Sequence, residues 1–126
     1  MKRFFISGLT LFFFLLSQIS SNAQTKIEVI QFHSEHRCVT CVKIEKLTRA
    51  TLTKNYPAIA FSLVNVDDKK NAKKAEQFEA SGTALFLYDP KTGKKKDLTE
   101  FAFLKAGNEI AFDAELKKYI ADFIKG

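Results

Sequence analysis

The sequence predicts an α/β domain, a mixed four-stranded sheet in a three-layer sandwich with elements in the order β-α-β-α-β-β-α. Three observations lead there. Strand-like and helix-like patterns alternate from about residue 26 to the C-terminus. The first strand, the helix after it and the second strand make a crossover unit, which is right-handed and parallel. The turn-rich segment Asp89-Pro90-Lys91-Thr92-Gly93-Lys94 then joins two further strands as a hairpin. The hairpin adds antiparallel pairing, and helices are left to cover both faces.

The domain does not begin at residue 1. Lys2 and Arg3 precede an apolar run from Phe4 to Leu16, and a polar stretch ends in Ser21-Asn22-Ala23. This is the pattern of a secretory signal peptide over residues 1–23, too short and wrongly flanked for a lasting membrane anchor. No cysteine follows the run at a lipidation position. Residues 24–126 suffice for one compact domain and not for two. Loss of Lys2 and Arg3 lowers the net charge from +6 to +4. Much of the excess lies in Lys94-Lys95-Lys96, with Lys91 nearby. No aromatic residue interrupts that run, so it reads as a solvated turn and not as a nucleic-acid surface.

Lys26 to His33 reads as the first strand, since Ile27, Val29 and Ile30 are β-branched and Phe32 is aromatic. A helix is expected from about Val39 to Lys54. Cys41, Ile44, Leu47, Thr48, Thr51 and Leu52 recur at three- and four-residue intervals and share one face. Asn55-Tyr56-Pro57 ends it, because proline disfavours helical backbone in the residue before it. Ile59 to Val66 forms the second strand. The second helix starts at Asn71, buries Ala72, Ala75 and Phe78, and stops at Ser81-Gly82. Thr83 to Tyr88 is the third strand, with its hairpin partner somewhere within Lys95 to Leu104. Asn108 caps the last helix, whose stripe of Phe112, Leu116, Tyr119, Ile120, Phe123 and Ile124 is packing surface.

The candidate site is the loop and helix start His33-Ser34-Glu35-His36-Arg37-Cys38-Val39-Thr40-Cys41. It holds both cysteines and both histidines of the chain. Export implies an oxidising compartment, in which Cys38 and Cys41 can close a disulfide. A bridge across so short a loop removes little entropy from the unfolded chain, so its purpose is chemistry more than stability. Cys38, at the helix start with Arg37 beside it, is the more exposed sulfur and the nucleophile. Cys41, one turn further on the apolar face, is the resolving thiol. His36 is placed to stabilise a thiolate or carry a proton. His33 is expected to be a solvated loop residue, and Ser34 and Glu35 loop residues without a catalytic part.

The element order, with Cys38-Val39-Thr40-Cys41 at the first strand-to-helix junction, resembles the thioredoxin fold. More narrowly, His36-Arg37-Cys38-Val39-Thr40-Cys41 with Asn65-Val66-Asp67 and Gly82-Thr83-Ala84-Leu85 is similar to a small exported family described as an ArsF-type subunit of a nitrophenyl-compound nitroreductase. The resemblance implies a thiol–disulfide oxidoreductase that needs no cofactor beyond its Cys38–Cys41 disulfide. Its partners would be a protein thiol or disulfide and a redox partner, with no nucleic acid and no stable membrane insertion. It also implies that Thr83 and Ala84 border the substrate. Thioredoxins carry a cis-proline where this chain has Ala84, and a non-proline cis bond costs about 3–4 kcal/mol, so a trans peptide is expected. They also bury an acid beneath the cysteines. Within residues 27–32 the only acid is Glu28, which comes too early, and Phe32 falls nearer the matching place.

Two other functions use the same residues. His33, His36, Cys38 and Cys41 are soft and borderline ligands suited to zinc, copper(I) or a trivalent metalloid. Alternatively, the domain is a non-catalytic adaptor that binds a partner through this fold.

Overall fold

The computed structural model describes residues 27–126, so the signal peptide expected over residues 1–23 lies outside the described residues. Among the described residues no helix is long and apolar enough to cross a membrane. The elements are β1 (Glu28–His33), α1 (Val39–Asn55), β2 (Ala60–Asn65), a 3₁₀ turn (Lys69–Asn71), α2 (Ala72–Gln77), β3 (Ala84–Tyr88), β4 (Lys95–Asp97), α3 (Thr99–Lys105) and α4 (Glu109–Lys125).

The strands form one sheet in the order β2-β1-β3-β4. β1 runs parallel to β2, with Glu28 opposite Ala60 and His33 opposite Asn65. It runs antiparallel to β3, with Glu28 opposite Tyr88 and Phe32 opposite Ala84. β4 closes the far side antiparallel to β3. This is the thioredoxin-like α/β sandwich that the element order predicts.

Alternation along β1 divides the core in two, as a strand buried on both faces requires. Ile27 and Val29 join Ile44, Leu47, Leu87, Phe101, Phe112, Leu116 and Ile120 in the larger cluster beneath α1, α3 and α4. Ile30 and Phe32 face the other way, into a smaller cluster with Val64, Phe78 and Phe86 beside α2. There the Phe78 ring stands 5.2 Å from Phe32, 5.1 Å from Phe86 and 5.0 Å from Tyr88. Such tilted and edge-on pairs each add about 0.5–1.5 kcal/mol beyond their burial.

The helix α1 buries all six residues of its expected stripe. The stripe of α4 buries Phe112, Leu116, Ile120 and Phe123, while Tyr119 is half-buried and Ile124 exposed. Asn108 caps α4 by accepting the Ala111 N–H at 3.0 Å.

Three expectations need correcting. Asn71 does not cap α2 with its side chain; its Nδ2 donates to the Asn65 carbonyl at 3.0 Å, and Ala72 is exposed. The same helix ends at Gln77, well before Gly82. Glu79 takes the left-handed conformation (φ 52°), and the Ala80 N–H reaches back to the Ala75 carbonyl at 2.8 Å. The hairpin partner lies within the expected segment, at Lys95–Asp97, but the chain then turns into a short helix, α3, that the expected order of elements lacks. Asp97 Oδ1 accepts the Thr99 N–H at 2.8 Å and so favours that turn. The hairpin loop has the expected chemistry, with Gly93 at φ 78° and the Asp89 N–H donating to the Lys94 carbonyl.

The lysine run is solvent-exposed, as expected, yet aromatic residues from distant parts of the chain lie beneath it. Lys94 Nζ sits 4.9 Å from the centre of the Phe123 ring and Lys95 Nζ 5.2 Å from that of Phe78. Lys95 also donates to the Gln77 carbonyl at 2.7 Å.

A partly buried polar link joins α1 to α4. Thr51 Oγ1 donates to Asp113 Oδ1 at 2.8 Å, and Lys117 Nζ lies 3.1 Å from Asp113 Oδ2. The Thr51 and Lys117 hydrogen bonds hold the Asp113 carboxyl below the usual carboxylate range against the opposing effect of burial. A carboxylate with a lowered folded pKa stabilises the fold above its unfolded pKa, about 3.9, and loses that contribution as pH falls through the folded value. Replacing Thr51 by Val should therefore cost about 1–2 kcal/mol at pH 7, with a smaller cost once Asp113 is protonated. Denaturant titrations at pH 7 and near pH 3 check this; an equal cost at both pH values would exclude the carboxylate.

Candidate functional site

Three chain segments meet at one end of the sheet. β1 and β2 run parallel, so both end there, and β3 begins there because it runs antiparallel to β1. The loop after β1 leads to Cys38, the turn after β2 carries Asp67, and the segment before β3 carries Thr83.

Cys38 is the N-cap of α1, with extended backbone (φ −77°, ψ 159°), and its carbonyl accepts the first helical bond, from the Val42 N–H at 3.1 Å. Its Sγ also accepts the Cys41 N–H at 3.1 Å, so the sulfur takes the place that a serine or aspartate oxygen usually fills. Cys38 and Cys41 are joined in a disulfide. The two sulfurs sit in unlike surroundings, since Cys38 is exposed and Cys41 is 4% exposed.

The neighbours of Cys41 come from elsewhere in the fold. Thr83 Oγ1 lies 3.0 Å from its Sγ. Gln31 Nε2, fully buried, donates to its carbonyl at 2.9 Å. Among the described residues the Oε1 of that amide has no hydrogen-bond partner. Gln31 is a site residue that the sequence reading missed, and it corrects the expectation about the position beneath the cysteines. Phe32 points into the aromatic cluster on the opposite face, whereas Gln31 lies under the start of α1. The signal was alternation: Gln31 is two residues from Val29 and shares its face. An amide there can position backbone but does not ionise.

The remaining predicted residues are arranged more loosely. Arg37 is paired with Glu45 at 2.7 Å, and Arg49 reaches the same carboxylate at 2.9 Å. Burial works to raise the Glu45 pKa, but hydrogen bonds and charges from Arg37 and Arg49 outweigh it and leave the carboxyl below its ordinary range. Arg37 thus spends its guanidinium on α1. His36 is exposed, and its carbonyl accepts from Ser34 Oγ at 3.1 Å. His33 is half-buried, with Nδ1 2.8 Å from the Ser34 carbonyl. Among the described residues no three His, Cys, Asp or Glu side chains come together as a group able to hold a metal ion.

The loop itself is pinned from β2. Asp67 Oδ2 accepts the Glu35 N–H at 2.8 Å, and Asn65 Oδ1 accepts the Asp67 N–H at 3.0 Å. The Val66 N–H donates to the His33 carbonyl at 2.8 Å. On the other side, Thr83 and Ala84 border an open groove of about 430 Å³ that Phe78, Lys95 and Thr99 also line. Among the described residues every peptide bond is trans, including the one before Ala84.

No family model matches the chain, and neither does any curated protein. A solved structure described as that of a malarial protein aligns at a TM-score of 0.45 and 21% identity, over 64% of this chain and 94% of that one.

The Asp67 contact makes the Cys38 loop depend on a carboxylate thirty-two residues away in sequence. Asp67→Ala should speed exchange of the Glu35 amide about fivefold by removing a hydrogen bond of roughly 1 kcal/mol, while Asp67→Asn, which keeps an acceptor, should change it less. Amide hydrogen exchange measures both; equal protection in the alanine variant and the wild type would show that Asp67 does not hold the loop.

Proposed function

We propose that this protein is an exported thiol–disulfide oxidoreductase of the thioredoxin-like superfamily. The observation that carries the reading is the asymmetric disulfide, with an exposed Cys38 at a helix N-cap bonded to a buried Cys41. A sulfur at the start of a seventeen-residue helix lies in the positive field of the helix dipole, which favours its thiolate. The Cys41 N–H, already aimed at Cys38 Sγ, adds a hydrogen bond that strengthens as the sulfur gains charge. With Arg37 engaged by Glu45, these backbone groups account for the activation of Cys38.

The chemistry is exchange through a mixed disulfide. Cys38 as thiolate attacks a substrate disulfide and is joined to one of its sulfurs, and the other leaves as a thiolate. Cys41 then attacks Cys38, restores the internal disulfide and releases the reduced substrate. Run in reverse, the same steps oxidise a dithiol. The substrate is a protein thiol or disulfide lying along Thr83 and Ala84, and an oxidising compartment keeps the pair closed between turnovers. The similarity to the exported ArsF-type family belongs to the same proposal.

In the reduced protein, alkylation of Cys38 should follow a pKa clearly below the free-thiol value of about 8.5. Cys41→Ala should accumulate a mixed disulfide at Cys38, visible by mass spectrometry of the intact protein. An ordinary thiol pKa together with no trapped partner would sink the proposal.

A further inference from the structure

The two sulfurs have different hydrogen-bond donors. Cys38 Sγ is served by backbone, the Cys41 N–H, while Cys41 Sγ is approached at 3.0 Å by a side chain, Thr83 Oγ1. Neither disulfide sulfur carries a proton, so in this contact the threonine hydroxyl is the donor. Gln31, the other polar side chain at Cys41, is committed to the carbonyl. We infer that Thr83 is a catalytic residue, a hydrogen-bond donor that stabilises Cys41 as the leaving thiolate when the internal disulfide is opened.

The inference rests on the oxidoreductase reading and adds a role to that site. When a dithiol substrate is oxidised, one of its sulfurs, having lost its proton to water, attacks Cys38 Sγ. A bond forms between the substrate sulfur and Cys38, the Cys38–Cys41 bond breaks, and its electron pair departs on Cys41 Sγ. The second substrate sulfur, its proton likewise lost to water, then attacks its own bridged sulfur and expels Cys38 as a thiolate. The two protein thiolates take two protons back from water, so the substrate leaves as a disulfide and the protein as a dithiol, with no other oxidant or reductant.

Cys41 is the sulfur for which this matters most. Its burial disfavours a charge, and among the described residues the hydrogen-bond donor at its sulfur is the Thr83 hydroxyl. A neutral disulfide sulfur is a weak acceptor and a thiolate a strong one, so the Thr83 bond tightens as charge develops. An interaction stronger in the transition state than in the ground state speeds the step. Thr83 is also held in place. The residue after it, Ala84, is paired with Phe32 in the sheet, and the next, Leu85, donates its N–H to Thr99 Oγ1 at 3.0 Å.

The test compares wild type, Thr83→Val, which keeps the branched shape, and Thr83→Ser, which keeps the hydroxyl. The rate of disulfide opening by dithiothreitol should fall about tenfold in the valine variant and recover in the serine variant. In a Cys38→Ala background, the pH at which Cys41 becomes thiolate, read by ultraviolet absorbance, should rise by about one unit with valine and return with serine. Opening rates and Cys41 titrations indistinguishable between wild type and Thr83→Val would overturn the role of Thr83. The titration requires no turnover, so it decides the matter even if Cys38 proves unreactive, a result that would count against the oxidoreductase reading alone.

Discussion

The position of β1 between a parallel and an antiparallel neighbour is the constraint on which the rest of the molecule depends. Parallel pairing with β2 brings the ends of both strands to one side of the sheet, and antiparallel pairing with β3 brings a strand start to the same side. Cys38, Asp67 and Thr83 are far apart in sequence and meet there for that reason. The strand also has no solvent face, because Val29, Ile30 and Phe32 are all fully buried. A polar residue within it must therefore find a partner inside the protein, and Gln31 finds the Cys41 carbonyl.

Electrostatics at the disulfide come mainly from neutral donors. A helix N-terminus, one peptide N–H and one hydroxyl surround the sulfurs, while Arg37 is turned toward Glu45. Fixed dipoles of this kind can favour a developing thiolate without a buried charge that would itself need solvating. Gln31 fits the same pattern, since an amide orients the first turn of α1 and exchanges no proton at any ordinary pH.

Legibility in the sequence followed the range of the forces involved. The buried stripe of α1 was readable in full because helical periodicity alone decides it. The unequal exposure of Cys38 and Cys41 followed from the same periodicity, which turns Cys41 inward and leaves Cys38 at the cap. Contacts across the fold were not readable. The approach of Thr83 to Cys41 depends on where a loop forty-two residues later comes to rest, and glutamine in a strand usually signals a solvent face. The end of α2 was misplaced because Glu79 takes a left-handed conformation for which glycine is the usual residue. The aromatic rings under the lysine run belong to other elements, so the run itself carried no sign of them.

One of the two edge strands, β4, is three residues long and carries a charge at each position, Lys95, Lys96 and Asp97. A sheet edge normally offers unpaired backbone groups on which a neighbouring chain can add a strand. So short and so charged an edge is a poor template, because an incoming chain would gain few hydrogen bonds while crowding against desolvated lysines. On this flank the molecule is protected against sheet-to-sheet aggregation, while the opposite flank ends on the longer strand β2.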